Sequence, residues 1–215
     1  MAYKAENGYF EIDIDNVSHK TDLTLDITDV FYMKDLKQRK MFINEPIFIE
    51  NIEDVVHFIL QFNAEDKGIP VEERKPILLY LTSAGGSVDC GFQLINVIEQ
   101  SKTPVYTINT GFQYSMGFLI GLAGHKRFAM KNAKFLMHDG FNGTFDSSAK
   151  VVDTIEFRKK EEQRIKEYIL SRTKITPKLY DKQYRVEWYM YGDEAKKLGI
   201  VDYIIGEDCS IDDIV

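Results

Sequence analysis

From Met41 onward the chain alternates two kinds of apolar pattern. Short unbroken apolar runs give way to stretches with an apolar residue every third or fourth position. Ile77-Leu78-Leu79-Tyr80-Leu81 is such a run, as expected of a strand buried on both faces. Residues 41–43, 104–108, 127–130 and 135–137 read as further strands, with Pro104 at a first position, where proline is tolerated. Residues 52–62 carry apolar side chains at 52, 55, 56, 59, 60 and 62, a helical stripe with acids in its first turn. Residues 88–99 repeat that stripe, and 115–123 read as a helix buried on all sides. Polar residues 66–75, with Gly68 and Pro70, form a loop. Strands alternating with helices predict an α/β fold with parallel pairing and right-handed crossovers.

The two ends of this pattern differ from its middle. Glu11-Ile12-Asp13-Ile14-Asp15 and Leu23-Thr24-Leu25-Asp26-Ile27 alternate like strands, which suits a hairpin or an extended N-terminal arm. Residues 1–38 are therefore set apart as an extension, and 39–215 as the main domain. Residues 150–171 predict a long helix with a charged middle, Arg158-Lys159-Lys160-Glu161-Glu162. That run suits a solvated face with i,i+4 pairs. Its apolar Val152, Ile155, Ile165, Tyr168 and Ile169 still need a surface to cover, such as a partner subunit. Helices at 177–184 and 193–198 and a last strand at 201–205 complete the chain.

Composition narrows the field modestly. A length of 215 residues fits one domain with a sizeable core. The net charge of -7, without any Lys/Arg stripe interleaved with aromatics, argues against a nucleic-acid partner. The start lacks the apolar core of a secretory signal, and the run at 118–123 is far too short to span a bilayer. The expectation is a cytoplasmic protein without membrane attachment. Cys90 and Cys209 have no metal-ligand spacing and read as two reduced thiols, Cys90 buried on a helix and Cys209 near the tail.

Three segments carry candidate chemistry. Ser83-Ala84-Gly85-Gly86-Ser87 joins a buried strand to a helix, where glycines turn the backbone tightly and can offer amide N–H groups to an oxyanion or phosphate. It is neither a Walker loop nor a dinucleotide fingerprint, and a plain tight turn explains it as well. Ser115 lies where a loop meets a helix. It reads either as an N-cap or as a nucleophile whose oxyanion meets amides at the same helix end. His138 ends a strand ahead of Asp139-Gly140 and reads either as structural or as a general base. His19, His57 and His125 have no comparable setting.

Taken together and in order, these segments resemble the ClpP peptidase family of self-compartmentalising serine proteases. Ser83-Ala84-Gly85-Gly86-Ser87-Val88 is similar to its Ser-Pro-Gly-Gly motif, and Tyr114-Ser115-Met116-Gly117 to its Ala-Ser-Met-Gly nucleophile box. Leu136-Met137-His138-Asp139-Gly140 is similar to its Met-Ile-His-Gln-Pro base box. Asp193-Glu194-Ala195-Lys196-Lys197-Leu198-Gly199-Ile200-Val201-Asp202 is similar to its Pro-Glu-Ala tail motif. The resemblance covers roughly residues 39–205.

It implies the ClpP/crotonase-like ββα spiral with a protruding helix–strand handle, here with an atypical N-terminal extension. It implies a serine endopeptidase acting on peptides or unfolded proteins through an acyl-enzyme. Ser115 would be the nucleophile, His138 the base, and the Gly86 and Met116 amides the oxyanion hole. Ungapped alignment of the tail puts Glu187 where the family has the triad Asp, with Asp181 as the nearby substitute. The resemblance implies no metal and no organic cofactor. It implies a homo-oligomer of seven-membered rings stacked in pairs, a tetradecamer. The helix from Lys150 and a strand around Gly143 would join the rings. An AAA+ unfoldase is the implied partner, although residues 1–38 do not resemble the N-terminus that makes that contact in the family.

The chain departs from the family pattern at Ala84, at Asp139-Gly140 and at Tyr114, whose bulk beside the nucleophile is expected to narrow the substrate site. Two further readings compete. A catalytically silent scaffold of the same fold is favoured by Tyr114, Ala84 and Glu187 and disfavoured by the retained Ser115 and His138. A crotonase-type enzyme acting on acyl-coenzyme A would share the spiral but has no need of that serine and histidine.

Overall fold

A computed structural model describes residues 27–140 and 143–214. They fall into two compact units that divide between Met41 and Phe42.

In the first unit the described residues begin with helix α1 (Ile27–Lys37). The alternation at 11–15 lies outside the described residues, as does that at 23–27 except for Ile27, which opens α1. The hairpin or extended arm expected of residues 1–38 therefore falls largely outside the described residues, and of that stretch 27–37 is helical. Residues 27–37 contain neither Gly nor Pro, and Lys34 and Lys37 sit in the last turn, where cations favour the helix dipole.

The second unit is built from α2 (Ile49–Glu65), β2 (Ile77–Leu81), α3 (Val88–Gln100), β3 (Val105–Asn109), β4 (Phe112–Tyr114), α4 (Met116–Ala123), β5 (Lys126–Met130), β6 (Lys134–Met137), α5 (Ser148–Arg172), α6 (Pro177–Gln183), β7 (Trp188–Tyr191), α7 (Gly192–Lys197) and β8 (Tyr203–Ile205). With β1 (Lys40–Ile43) at one edge, the main sheet runs β1-β2-β3-β5-β8. Its β2–β3, β3–β5 and β5–β8 pairs are all parallel. This is the α/β architecture with a parallel sheet that the alternation predicted. The polar loop after α2 holds a single 3-10 turn, Val71–Glu73.

Each face of the sheet has its own cover. Ile77 and Leu79 lie in register with Val105 and Thr107, and the Thr107 hydroxyl donates to the Gly121 carbonyl of α4, 2.7 Å away. That face therefore meets the helices, with α2 packed on α3 and α3 on α4. The opposite face gathers Leu78, Ile108, Phe128 and Ile205, and Ile214 of the C-terminal tail packs on them. Cys209 sits half-buried beside this cluster, and Cys90 is half-buried on α3 rather than fully buried.

The long helix α5 behaves as two halves. Ile165, Tyr168 and Ile169 are sheltered, whereas Val152, Ile155 and Phe157 in the first half are exposed. Of the strand expected around Gly143, Phe141 and Asn142 lie outside the described residues, and the described 143–147 has no regular structure. A strand needs a ladder partner for its backbone groups, and none pairs with 143–147 among the described residues.

Candidate active site

A small second sheet, β4-β6-β7, decides where the candidate residues meet. β4 runs parallel to β6, with Tyr114 opposite Leu136. β7 runs antiparallel to β6, with Tyr189 opposite Leu136 and Trp188 opposite Met137. The C-terminal ends of β4 and β6 and the N-terminal end of β7 therefore share one edge. Ser115 directly follows β4, His138 directly follows β6, and Glu187 directly precedes β7. Three residues spread over more than seventy positions are delivered to one edge by register alone.

β4 and β7 had no counterpart in the sequence reading. β4 is only three residues long, but Trp188-Tyr189-Met190-Tyr191 is rich in strand-favouring aromatics, a signal that could have located β7. Tyr114 does not narrow the cleft as expected. It turns to the outer side of this sheet and meets Tyr189 edge-on, with ring centroids 5.8 Å apart. Alternation along β4 puts its side chain on the other side from the cleft.

Ser115 occupies the N-cap of α4, yet its side chain makes no capping hydrogen bond. Its backbone stands at φ 53°, ψ -119°, a conformation few residues other than glycine adopt. Strain of this kind, roughly 1–3 kcal/mol, persists only where the surroundings over-determine it. Here they do. The Ser115 N–H bonds the Leu136 carbonyl at 3.0 Å, extending the β4–β6 ladder, and the Tyr114 N–H bonds the Ser83 carbonyl at 2.9 Å. α4 behind it is wholly buried.

The glycine turn packs directly against this elbow. A Cβ on Gly85 (φ +94°) would lie 2.7 Å from Ser115 Cβ and 2.9 Å from the Met116 nitrogen. A Cβ on Gly86 would lie 2.4 Å from the Ile47 carbonyl oxygen. Ser83, not singled out from sequence, shapes the turn: its hydroxyl donates to the Glu45 carbonyl at 2.8 Å and accepts from the Gly85 N–H at 3.1 Å. The parallel bridge between Ile47 and Gly86 uses the Gly85 carbonyl and the Ser87 N–H, so the Gly86 N–H points away from it. Met116 is the first residue of α4, and its N–H is among the donors a helix start leaves without an intrahelical acceptor. The Met116 amide adjoins Ser115, and Gly85, the neighbour of Gly86, packs on both.

His138 Nδ1 lies 2.9 Å from Glu187 Oε1. A carboxylate only accepts, so in the neutral imidazole the proton sits on Nδ1 and Nε2 presents its lone pair. Nε2 is buried and has no hydrogen-bond partner among the described residues. Asp181, the alternative acid, is taken up elsewhere by Lys166 at 2.5 Å and is 61% exposed. Ser115 and His138 line one cleft, whose apolar wall includes Leu119, Met137, Ile165 and Ile169. Its volume is about 70 Å³, room for one modest side chain. Tyr184 and Glu162 also line it. Burial, then the nearby Glu162 and Asp139 carboxylates, push the Tyr184 hydroxyl above its ordinary pKa, so it stays a donor. Among the described residues no group of His, Cys, Asp and Glu is arranged to hold a metal ion, and no helix is long and apolar enough to cross a membrane.

Residues 25–208 match the Clp protease family model. The chain is 30% identical over 184 residues to an ATP-dependent Clp protease proteolytic subunit 1 of Chlamydia caviae, covering 83% of this chain and 93% of that protein. It is 29% identical over 184 residues to the Chlamydia abortus protein of the same name, covering 83% and 92%. It is 27% identical over 180 residues to an ATP-dependent Clp protease proteolytic subunit 2 of Treponema pallidum, covering 82% and 86%.

Proposed function

Because the chain belongs to the Clp protease family, we propose that it is a serine endopeptidase working through Ser115, His138 and Glu187. The observation that carries this reading is the shared edge of the β4-β6-β7 sheet, with His138 Nδ1 2.9 Å from Glu187. Ser115 Oγ attacks the scissile carbonyl carbon as His138 Nε2 takes its proton. The carbonyl oxygen becomes an oxyanion and receives the Gly86 and Met116 N–H groups. Glu187 holds the imidazole with Nε2 toward the serine and stabilises the imidazolium once it forms. His138 then returns the proton to the departing amine, leaving an acyl-enzyme. Water, deprotonated by the same nitrogen, attacks the ester, releases the acid product and restores Ser115.

The substrate class is peptide or unfolded protein, and the apolar cleft wall suits an aliphatic side chain next to the scissile bond. Residues 39–215 form the peptidase and residues 1–38 an appended arm. The exposed apolar half of α5 suits contact between copies, in paired heptameric rings in the cytoplasm. ATP is used only by a separate AAA+ unfoldase. The acyl-coenzyme A alternative has no support from the family match. The silent-scaffold alternative draws on one observation, the unpartnered His138 Nε2. Serine hydrolases at rest often hold such bonds loosely, and the retained nucleophile and base favour the active form.

The test is intact mass after treatment with a fluorophosphonate, run beside Ser115→Ala. One adduct, absent in the variant, is expected. An assembled wild-type protein that takes up none points to the silent scaffold.

A further inference from the structure

α4 is a helix of eight residues, all of them buried. Its last four carbonyls lack intrahelical partners, and buried orphans of that kind are costly. Thr107 satisfies Gly121 from the sheet. Of the rest, α5 reaches Leu122, and it also bonds Leu119 just before these four and the cap residue Gly124 just after them. Tyr168 Oη donates to the Leu119 carbonyl at 3.2 Å. Arg172 Nε donates to Leu122 at 2.9 Å, and its Nη2 donates to the cap residue Gly124 at 2.8 Å. The guanidinium also places a cation at the negative end of the helix dipole.

Both side chains are themselves held. The Tyr168 ring meets Phe92 of α3 with centroids 6.2 Å apart, and burial raises its hydroxyl's pKa, so it remains a donor. The Arg172 carbonyl accepts from Arg127 Nη1 at 2.6 Å. Arg127 in turn grips Asp202 through Nη2 at 2.7 Å and Nε at 3.1 Å. Tyr168 and Arg172 lie three and seven positions beyond Ile165, on the same side of α5 as Ile165 and Ile169 of the cleft wall.

We propose that Tyr168 and Arg172 are positioning residues that clamp the far end of α4 and thereby fix Ser115 and the Met116 amide against the cleft wall. This rests on the serine-peptidase reading. An eight-residue helix is a stiff rod only about 12 Å long, so a hold on one end sets the other. The strained Ser115 backbone persists only while its surroundings hold it, and the clamp adds to that hold. Misplacement of a nucleophile by about 1 Å costs on the order of 100-fold in rate.

The experiment uses the full, assembled chain as Tyr168→Phe, Arg172→Met and Arg172→Lys. The rate of Ser115 labelling by a fluorophosphonate and the hydrogen exchange of residues 116–123 are both measured. Tyr168→Phe removes one hydrogen bond and no packing, and should slow labelling about fivefold. Arg172→Met should slow it on the order of 100-fold, with Arg172→Lys recovering part. With a peptide substrate kcat should fall while KM stays, and exchange should quicken in α4 but not in α2. Wild-type labelling and wild-type exchange in a folded Tyr168→Phe protein would overturn the proposal, even if Arg172→Met fails to fold. If the wild type itself takes no label, the peptidase reading falls, and exchange in α4 alone decides the clamp.

Discussion

Replacing Glu187 with glutamine probes the site at its most exposed member. Gln keeps the side chain's length and an oxygen that can face Nδ1, so the 2.9 Å contact can persist while the charge is lost. The charge matters when His138 becomes an imidazolium. Opposite charges about 4 Å apart attract by about 4 kcal/mol at an effective dielectric of 20 and by about 1 kcal/mol in water. Glu187's side chain is 57% exposed and that of His138 is 23% exposed, so the site lies between these limits. A loss of about 2–3 kcal/mol corresponds to a kcat lower by roughly 30- to 150-fold. That is well short of the roughly 10,000-fold drop when a buried triad acid loses its charge. The assay is saturation kinetics on a fluorogenic peptide, with assembly checked by light scattering. A kcat within twofold of wild type in an intact assembly would remove Glu187 from the mechanism. A loss near 10,000-fold would refute the argument from exposure.

Other consequences are equally direct. Gly85→Ala forces a Cβ to within 2.7 Å of Ser115 Cβ at a positive φ. Strain and overpacking together should cost about 2–5 kcal/mol, read as a lower denaturation midpoint with loss of fluorophosphonate labelling; an unchanged midpoint would contradict the packing of the turn on the elbow. Burial lowers the pKa of His125 below 6.5, and its Nδ1 accepts the Val105 N–H at 3.1 Å. The unfolded chain then binds more protons, so stability should fall as pH drops below about 6.5. Urea midpoints between pH 7.5 and 5 should show a shallower slope in His125→Phe, and an equal slope would exclude His125 as the cause. Light scattering should give about fourteen times the chain mass of 24.9 kDa, and a monomer at every concentration would refute the ring assembly.

What depends on near neighbours along the chain was legible before any fold was known. The run at 77–81 became β2 with the bounds expected, and the apolar stripe at 88–99 became α3 within one residue, because period and burial are local properties. Ser115, His138 and the Gly85-Gly86 turn stood out because each lies at the boundary of an element, and boundaries leave a local mark in residue type; the pairing of the Gly86 and Met116 amides came only from the family resemblance. Glu187 came only from alignment of the tail, and nothing local separated it from Asp181. The tertiary structure separated them: the antiparallel register of β7 on β6 aims Glu187 at His138, while Asp181 on α6 reaches Lys166. The short strand β4, the turning away of Tyr114 and the hold of α5 on α4 were decided in the same way. The bonds from Tyr168 and Arg172 span about fifty residues, and no pattern within one segment encodes which distant carbonyl it will satisfy. That choice follows from packing, which brings buried donors to buried acceptors because leaving either unpaired is costly.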